Sequence, residues 1–160
     1  MEKILLTMDG YNQYINEIEK LKNRLKDNNL SKKQAYEEAP GDGWHDNFSF
    51  EDIVRTEENL LSQIENMIKI NTKIEIIKRK TNNKNIVDIG DNVRLRLTYD
   101  DGSIEEDDFE LNANYNTKHL QEISVNSPLG KAIYHKEIKK AYTYQVNDIV
   151  IKVEILDKNN

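Results

Sequence analysis

The sequence predicts an α+β protein: an N-terminal antiparallel α-helical coiled-coil hairpin, followed by an antiparallel β-sheet domain with a short helix. Three observations lead there. Two long stretches carry apolar residues at alternating steps of three and four, a Pro-Gly break separates them, and the second half switches to period-two alternation.

The first helix is expected over residues 11–36. Tyr11, Tyr14, Ile18, Leu21, Leu25 and Asn28 form the a/d seam of a coiled coil, with Asn28 as a register-setting polar residue. Thr7 or Asp9 caps its start, and Glu17, Lys20, Lys22, Arg24 and Lys26 line solvated faces. Ala39-Pro40-Gly41-Asp42-Gly43 breaks the pattern, because proline disfavours helix for the residue before it and glycine permits a tight turn. A second helix is expected from Asn47 to Lys80. Phe50, Ile53, Glu57, Leu60, Ile64, Met67, Asn71 and Ile74 keep the same rhythm, and Val54, Leu61, Ile68 and Ile77 widen the stripe. Two such helices joined by a short turn make an antiparallel hairpin with arms roughly 45 Å long.

The hairpin domain is assigned to residues 1–80, with its tip at about 40–47, and Thr81 to Asn85 is a polar linker. Residues 86–160 form the second domain. Val93 to Tyr99 alternates as a half-buried strand, Asp100-Asp101-Gly102-Ser103 signals a hairpin turn, and Ile104 to Leu111 returns. Ala141–Val146 and Ile149–Leu156 form a last strand pair around Asn147-Asp148, and a short helix is expected within Ser127–Lys140, starting near Pro128.

Hydrophobic residues make up 37% and charged residues 32% of the 160, a balance that suits a chain with an exposed helical rod. The formal net charge is −6, of which residues 82–160 hold −4. The overall field therefore does not draw nucleic acid, and a protein partner is the default expectation. The absence of cysteine excludes disulfides and thiolate–zinc sites. The opening apolar run is too short for a signal peptide and no stretch reaches membrane-span length, so a soluble cytoplasmic protein without membrane contact is expected.

Ile123-Ser124-Val125-Asn126-Ser127-Pro128-Leu129-Gly130-Lys131-Ala132 resembles the I-S-x-x-S-P-hydrophobic-[GA]-x-A segment of the GreA/GreB family of bacterial transcription elongation factors. Leu6-Thr7-Met8-Asp9-Gly10-Tyr11 resembles that family's M-T-x-x-G-hydrophobic opening, so the resemblance covers essentially the whole chain. It implies an FKBP-like second domain that docks on bacterial RNA polymerase, through Ser127, Pro128 and Leu129. It implies a coiled coil entering the polymerase secondary channel, and contact with the nascent RNA 3′ end and DNA only within the elongation complex. A monomer is expected. His135 and Lys139-Lys140 stand where the family usually has Gly and a Gly-Asp pair.

The family's cleavage-active tip reads G-D-x-x-E-N-A-E-Y. Here Gly41-Asp42 matches, and Asp46-Asn47 resembles Glu-Asn after one extra residue. Phe48-Ser49-Phe50 replaces the segment with the second Glu. The resemblance makes Asp42 and Asp46 the catalytic carboxylates, sharing with the polymerase a Mg²⁺ that the polymerase mainly holds. Hard oxygen ligands suit that ion, and phosphodiester hydrolysis gains from a second metal. Trp44, His45 and Asn47 are further tip contacts. Each has a plainer reading. Asp42 is a turn former, and Asp46 caps the second helix. His45 is solvated, and Trp44 packs on Phe48 or Phe50. By this reading the chain is no enzyme but stimulates the polymerase's own RNA cleavage. The alternatives are a non-cleaving paralogue in the same channel and an FKBP-like peptide-binding or isomerase module.

Three charged clusters admit similar pairs of readings. Lys69, Lys73, Lys78, Arg79 and Lys80 complement the end of helix two or contact RNA or polymerase. Glu105 to Asp108 with Glu110 form a solvated strand face or steer a basic partner. Lys131, Lys136, Lys139 and Lys140 are surface charges or polymerase contacts.

Overall fold

The structure is a computed structural model that describes residues 3–38, 48–79, 83–116 and 119–159. The elements run β1 (Ile4–Leu6), α1 (Met8–Glu38), α2 (Phe48–Asn71), β2 (Ile74–Ile76), β3 (Asn92–Thr98), β4 (Ile104–Asn112), β5 (Glu122–Ser124), α3 (Pro128–Ile133), β6 (Lys140–Val146) and β7 (Ile149–Asn159). They divide into two compact units. One is Tyr14–Ile74; the other joins Lys3–Gln13 to the chain from Glu75 onward.

The first unit is the expected helical hairpin. Tyr14, Ile18 and Leu21 of α1 and Leu60, Ile64 and Met67 of α2 are buried. The Tyr14 hydroxyl donates to the Met67 carbonyl and Asn28 Nδ2 donates to the Ile53 carbonyl at 3.0 Å, so numbers rise along one helix as they fall along the other. Asn28 thus holds a half-buried seam position by tying itself to the facing backbone. Leu61 and Ile68, expected to widen the stripe, are exposed. A two-helix hairpin covers one narrow seam only, which leaves its flank uncovered within the unit's described residues.

The helical rhythm overruns α2. It predicted helix to Lys80, but α2 ends at Asn71 and Ile74–Ile76 form β2 beside β1. The Thr72 hydroxyl and the Lys73 amide cap the helix end, donating at 2.8 Å to the carbonyls of Lys69 and Ile70. Ile77 then lies buried in the core of the second unit, its amide bonded to the Leu6 carbonyl at 2.8 Å. Isoleucine at a continuing 3-4 step serves either structure, and the strand partner decides.

The second unit holds a five-stranded sheet in the order β5-β4-β3-β7-β6. Pairings are antiparallel except β4–β5, which is parallel over three residues. Val93, Leu95 and Leu97 alternate inward on β3, as do Ile151, Val153 and Ile155 on β7. Arg94 and Arg96 point to the other face. The turns fall where expected, with Gly102 (φ 81°) between β3 and β4 and Asn147 (φ 53°) between β6 and β7. The helix expected within Ser127–Lys140 is only α3, Pro128–Ile133. It ends at Tyr134, whose backbone turns extended (φ −61°, ψ 127°), and beyond it His135 and Lys139 take left-handed backbone, φ 57° and 59°. These are two of the positions where the resembled family usually has glycine, the residue that adopts such backbone at least cost.

Candidate functional site

The predicted tip residues Asp42, Trp44, His45, Asp46 and Asn47 lie outside the described residues. The structure does describe the two helices that flank them. Among the described residues, the seam members beyond Leu21 are half-buried: Leu25, Asn28, Phe50, Ile53 and Glu57. Polar links replace apolar packing there, including the ion pair of Lys32 with Glu57.

The Ser-Pro segment explains itself locally. Ser127 is the N-cap of α3: its Oγ accepts from the Gly130 amide at 3.0 Å and donates to the Ser124 carbonyl at 2.7 Å. Pro128 occupies the first helical position, where a missing N–H costs nothing. Gly130 is required by close approach. A Cβ there would overlap the Ser124 carbonyl, 2.8 Å from its carbon and 2.9 Å from Val125 Cα. Of the three predicted docking residues, Pro128 is exposed, Ser127 is half-buried with both roles of its hydroxyl in use, and Leu129 packs partly on the core.

The two signature segments are one physical construction, which their separation in sequence did not reveal. Asn126 Oδ1 accepts from the Leu5 amide and its Nδ2 donates to the Leu5 carbonyl, both at 2.8 Å, so one side-chain amide stands in for a strand partner of β1. Thr7 donates its amide to the Ala113 carbonyl at 2.9 Å, and its Oγ1 accepts from the Gly10 amide at 3.0 Å. Thr7, not Asp9, therefore caps α1. A Cβ on Gly10 would sit 2.5 Å from the Ala113 oxygen.

A buried charge cluster beside them escaped the sequence reading. Asp88 and Asp91 are fully buried. The Asp91 carboxylate takes Lys158 Nζ at 2.6 Å, Arg79 at 2.5 Å and the Asp88 amide at 2.8 Å. Lys158 also donates to the Ile86 carbonyl at 2.7 Å. His135 Nε2 stands 3.7 Å from Asp88. Arg79 is thus engaged within the fold, and Lys73, Lys78 and Arg79 follow α2 rather than ride on it. Only the spacing Asp88-Ile89-Gly90-Asp91, a turn signal, hinted at this knot.

On the acidic strand, Glu106 and Asp108 face Arg96 and Arg94 of β3. Arg96 bonds Glu106 at 2.5 Å and Glu154 at 3.2 Å, and Lys152 bonds Glu154 at 2.7 Å. The bond to Glu106 raises the Arg96 pKa, with Glu154 adding to it. Lys152, then Arg96, hold the Glu154 carboxyl below its ordinary value. On the other face, Tyr99 donates to Glu105 at 2.9 Å, which raises its phenol pKa, while burial raises that of Tyr144. Among the expected surface lysines, Lys140 pairs with Glu137 at 2.5 Å and Lys136 lies over the Tyr142 ring.

Two open depressions, of about 430 and 380 Å³, are lined by Lys84, Asn85, Ile138 and Asp157–Asn159, and by Lys139–Ala141 and Glu154–Leu156. Neither lining includes an aromatic ring. Among the described residues there is no cluster of three His, Cys, Asp or Glu able to hold a metal ion, and no helix is long and apolar enough to cross a membrane.

No family model matches the chain. The transcription elongation factor GreA of Clostridioides difficile (strain 630) is 30% identical over 176 aligned residues, covering 98% of this chain and 96% of the relative. Two solved structures, Gfh1 of Thermus aquaticus and a prokaryotic transcription elongation factor GreA/GreB from Nitrosomonas europaea, align over the full length of both chains. Their TM-scores are 0.44 and 0.40, at 16% and 15% identity.

Proposed function

Because the chain belongs to the GreA/GreB family of transcription elongation factors, we propose that it binds bacterial RNA polymerase, inserts its helical hairpin into the secondary channel and rescues backtracked complexes. In this reading the polymerase cleaves the RNA 3′ end itself. Asp42 and Asp46, carried in sequence between α1 and α2, add hard oxygen ligands toward a Mg²⁺ that the polymerase mainly holds. A second metal held with their help would supply the activation of the attacking water, beside a first metal that would stabilise the leaving oxygen. Pro128, exposed at the start of α3, and the accessible part of Leu129 are the docking contacts. The observation that carries the reading is the near full-length GreA likeness together with Gly41-Asp42 and Asp46-Asn47 between the helices.

The test is a backtracked elongation complex with purified polymerase. The native protein is expected to shorten the transcript, and Asp42→Ala or Asp46→Ala to slow shortening by roughly tenfold or more, as loss of a metal ligand does. The protein alone is expected to leave RNA intact. A second reading rests on Phe48-Ser49-Phe50 standing where the family has its second acid. A hairpin with that tip occupies the channel without promoting cleavage, and the same assay then gives full-length RNA with slowed synthesis. Unaltered RNA and unaltered synthesis would defeat both readings.

A further inference from the structure

The sheet of the second unit has two edges that differ. β5 is a three-residue strand, too short to template another chain. β6 runs seven residues as a regular edge, pairing with β7 from Lys140↔Ile155 to Val146↔Ile149 without a register shift. Between Ala141 and Val146 it carries none of the devices that blunt edges: no charge, no proline and no bulge. Among the described residues, no backbone hydrogen bond outside the β7 ladder uses Ala141–Val146. Ala141, Thr143 and Gln145 are exposed on the outer face, while Tyr142 and Tyr144 lie half-buried on the inner one.

We propose that β6 is a self-association edge, pairing antiparallel with β6 of a second copy about a two-fold axis at Thr143. The register follows from the strand. The two-residue Asn147-Asp148 turn makes Val146 and Ile149 a hydrogen-bonded pair, so Thr143, opposite Lys152, turns its N–H and C=O outward. Two such edges in antiparallel array bring Thr143 against its own copy and Tyr142 against Tyr144 twice, a favoured cross-strand aromatic pair. Charge fixes the direction. Lys139 and Lys140 sit at one end of the strand and Asp148 at the other, and neither Lys139 nor Asp148 has an ion-pair partner among the described residues. Antiparallel pairing carries each Asp148 to the lysines of the other copy; parallel pairing would set like charges together. A surface that is its own complement is what a two-fold dimer needs. The expected monomer is then the dilute form of a weak dimer.

Sedimentation velocity of the full chain, from ~10 µM to ~1 mM, tests this, since a single strand edge falls in the weak, small-interface class. The native sedimentation coefficient is expected to rise toward the dimer value across that range. Thr143→Glu places a carboxylate beside Lys152 within one chain but against another carboxylate across the axis, so association should fall at least ~10-fold with the thermal melt unchanged. Asp148→Lys should do the same, and Lys139→Asp added to Asp148→Lys should restore the dimer. A native protein that stays monomeric over the whole range overturns the proposal, as does a folded Thr143→Glu variant that associates like the native chain.

Discussion

The helical hairpin and the β unit are stabilised by different means. The hairpin is held by one apolar seam, closed tightly from Tyr14 to Leu21 against Leu60 to Met67 and loosening beyond, where Asn28 and Lys32 make polar links. The β unit has no such gradient. Val87, Val93, Leu95, Leu111, Val153 and Ile155 are wholly buried, backbones touch at Gly10 and Gly130, and a carboxylate is neutralised inside. A seam degrades gradually as contacts are lost, whereas a packed layer with a buried ion knot fails at single positions. Sequence change is therefore cheap toward the tip-proximal part of the hairpin and costly in the sheet.

The contrast can be broken or sharpened by substitution. The largest effect is expected for Asp91→Ala, which strands the buried Lys158 ammonium: about 3–5 kcal/mol lost in urea unfolding. Amide hydrogen exchange should show that loss in β3 and β7 and not in Leu60–Met67. Equal loss in both would dissolve the distinction between the units. Gly130→Ala follows at about 3 kcal/mol, because backbone has to move to admit the methyl group. Within the hairpin, Leu60→Ala should cost about 3 kcal/mol and Leu25→Ala about 1, a difference in helix melting by circular dichroism that measures how steeply the seam loosens. His135→Gly should instead stabilise the β unit by about 0.5–1 kcal/mol, by relieving left-handed backbone. An unchanged or lower melting temperature would show that the His135 side chain offsets its strain.

The smallest effects are those of pH. Glu154, held low by Lys152 and Arg96, and Asp101, held low by the Ser103 hydroxyl and amide, contribute stability above the ordinary carboxylate pKa near ~4 and lose it as pH falls through their lowered values. Tyr99, held high by Glu105, contributes below the ordinary phenol pKa near ~10 and loses it as pH rises through its raised value. Carboxyl NMR titration and phenolate absorbance read the two limbs. Glu154 titrating like a free glutamate would mean that the charge ladder on the outer sheet face is not formed in solution.

Much of this was legible in the residues. The 3-4 seam announced both helices, and alternation announced β3 and β7, because burying one face imposes a period. The end of α2 was not legible, since Ile74 and Ile77 continue the helical step and serve a strand and the sheet core equally well. Nor was β1, three residues whose partners are β2 and the Asn126 amide from the far end of the chain. At the candidate site, the Ser-Pro segment could be matched as a pattern, but its reason could not be read: a cap at Ser127 and a contact at Gly130 without room for a methyl group.

By itself the sequence determined the helical hairpin, the main strands and their turns, because these follow from local periodicity and turn chemistry. Only the tertiary structure decided that Leu5, Thr7 and Gly10 meet Asn126 and Ala113. It alone brought Asp91, Arg79 and Lys158 into one buried cluster and left β6 as an open edge. Those are encounters between residues far apart in the chain, and no period in a sequence encodes which distant partner fills a given hydrogen bond or charge.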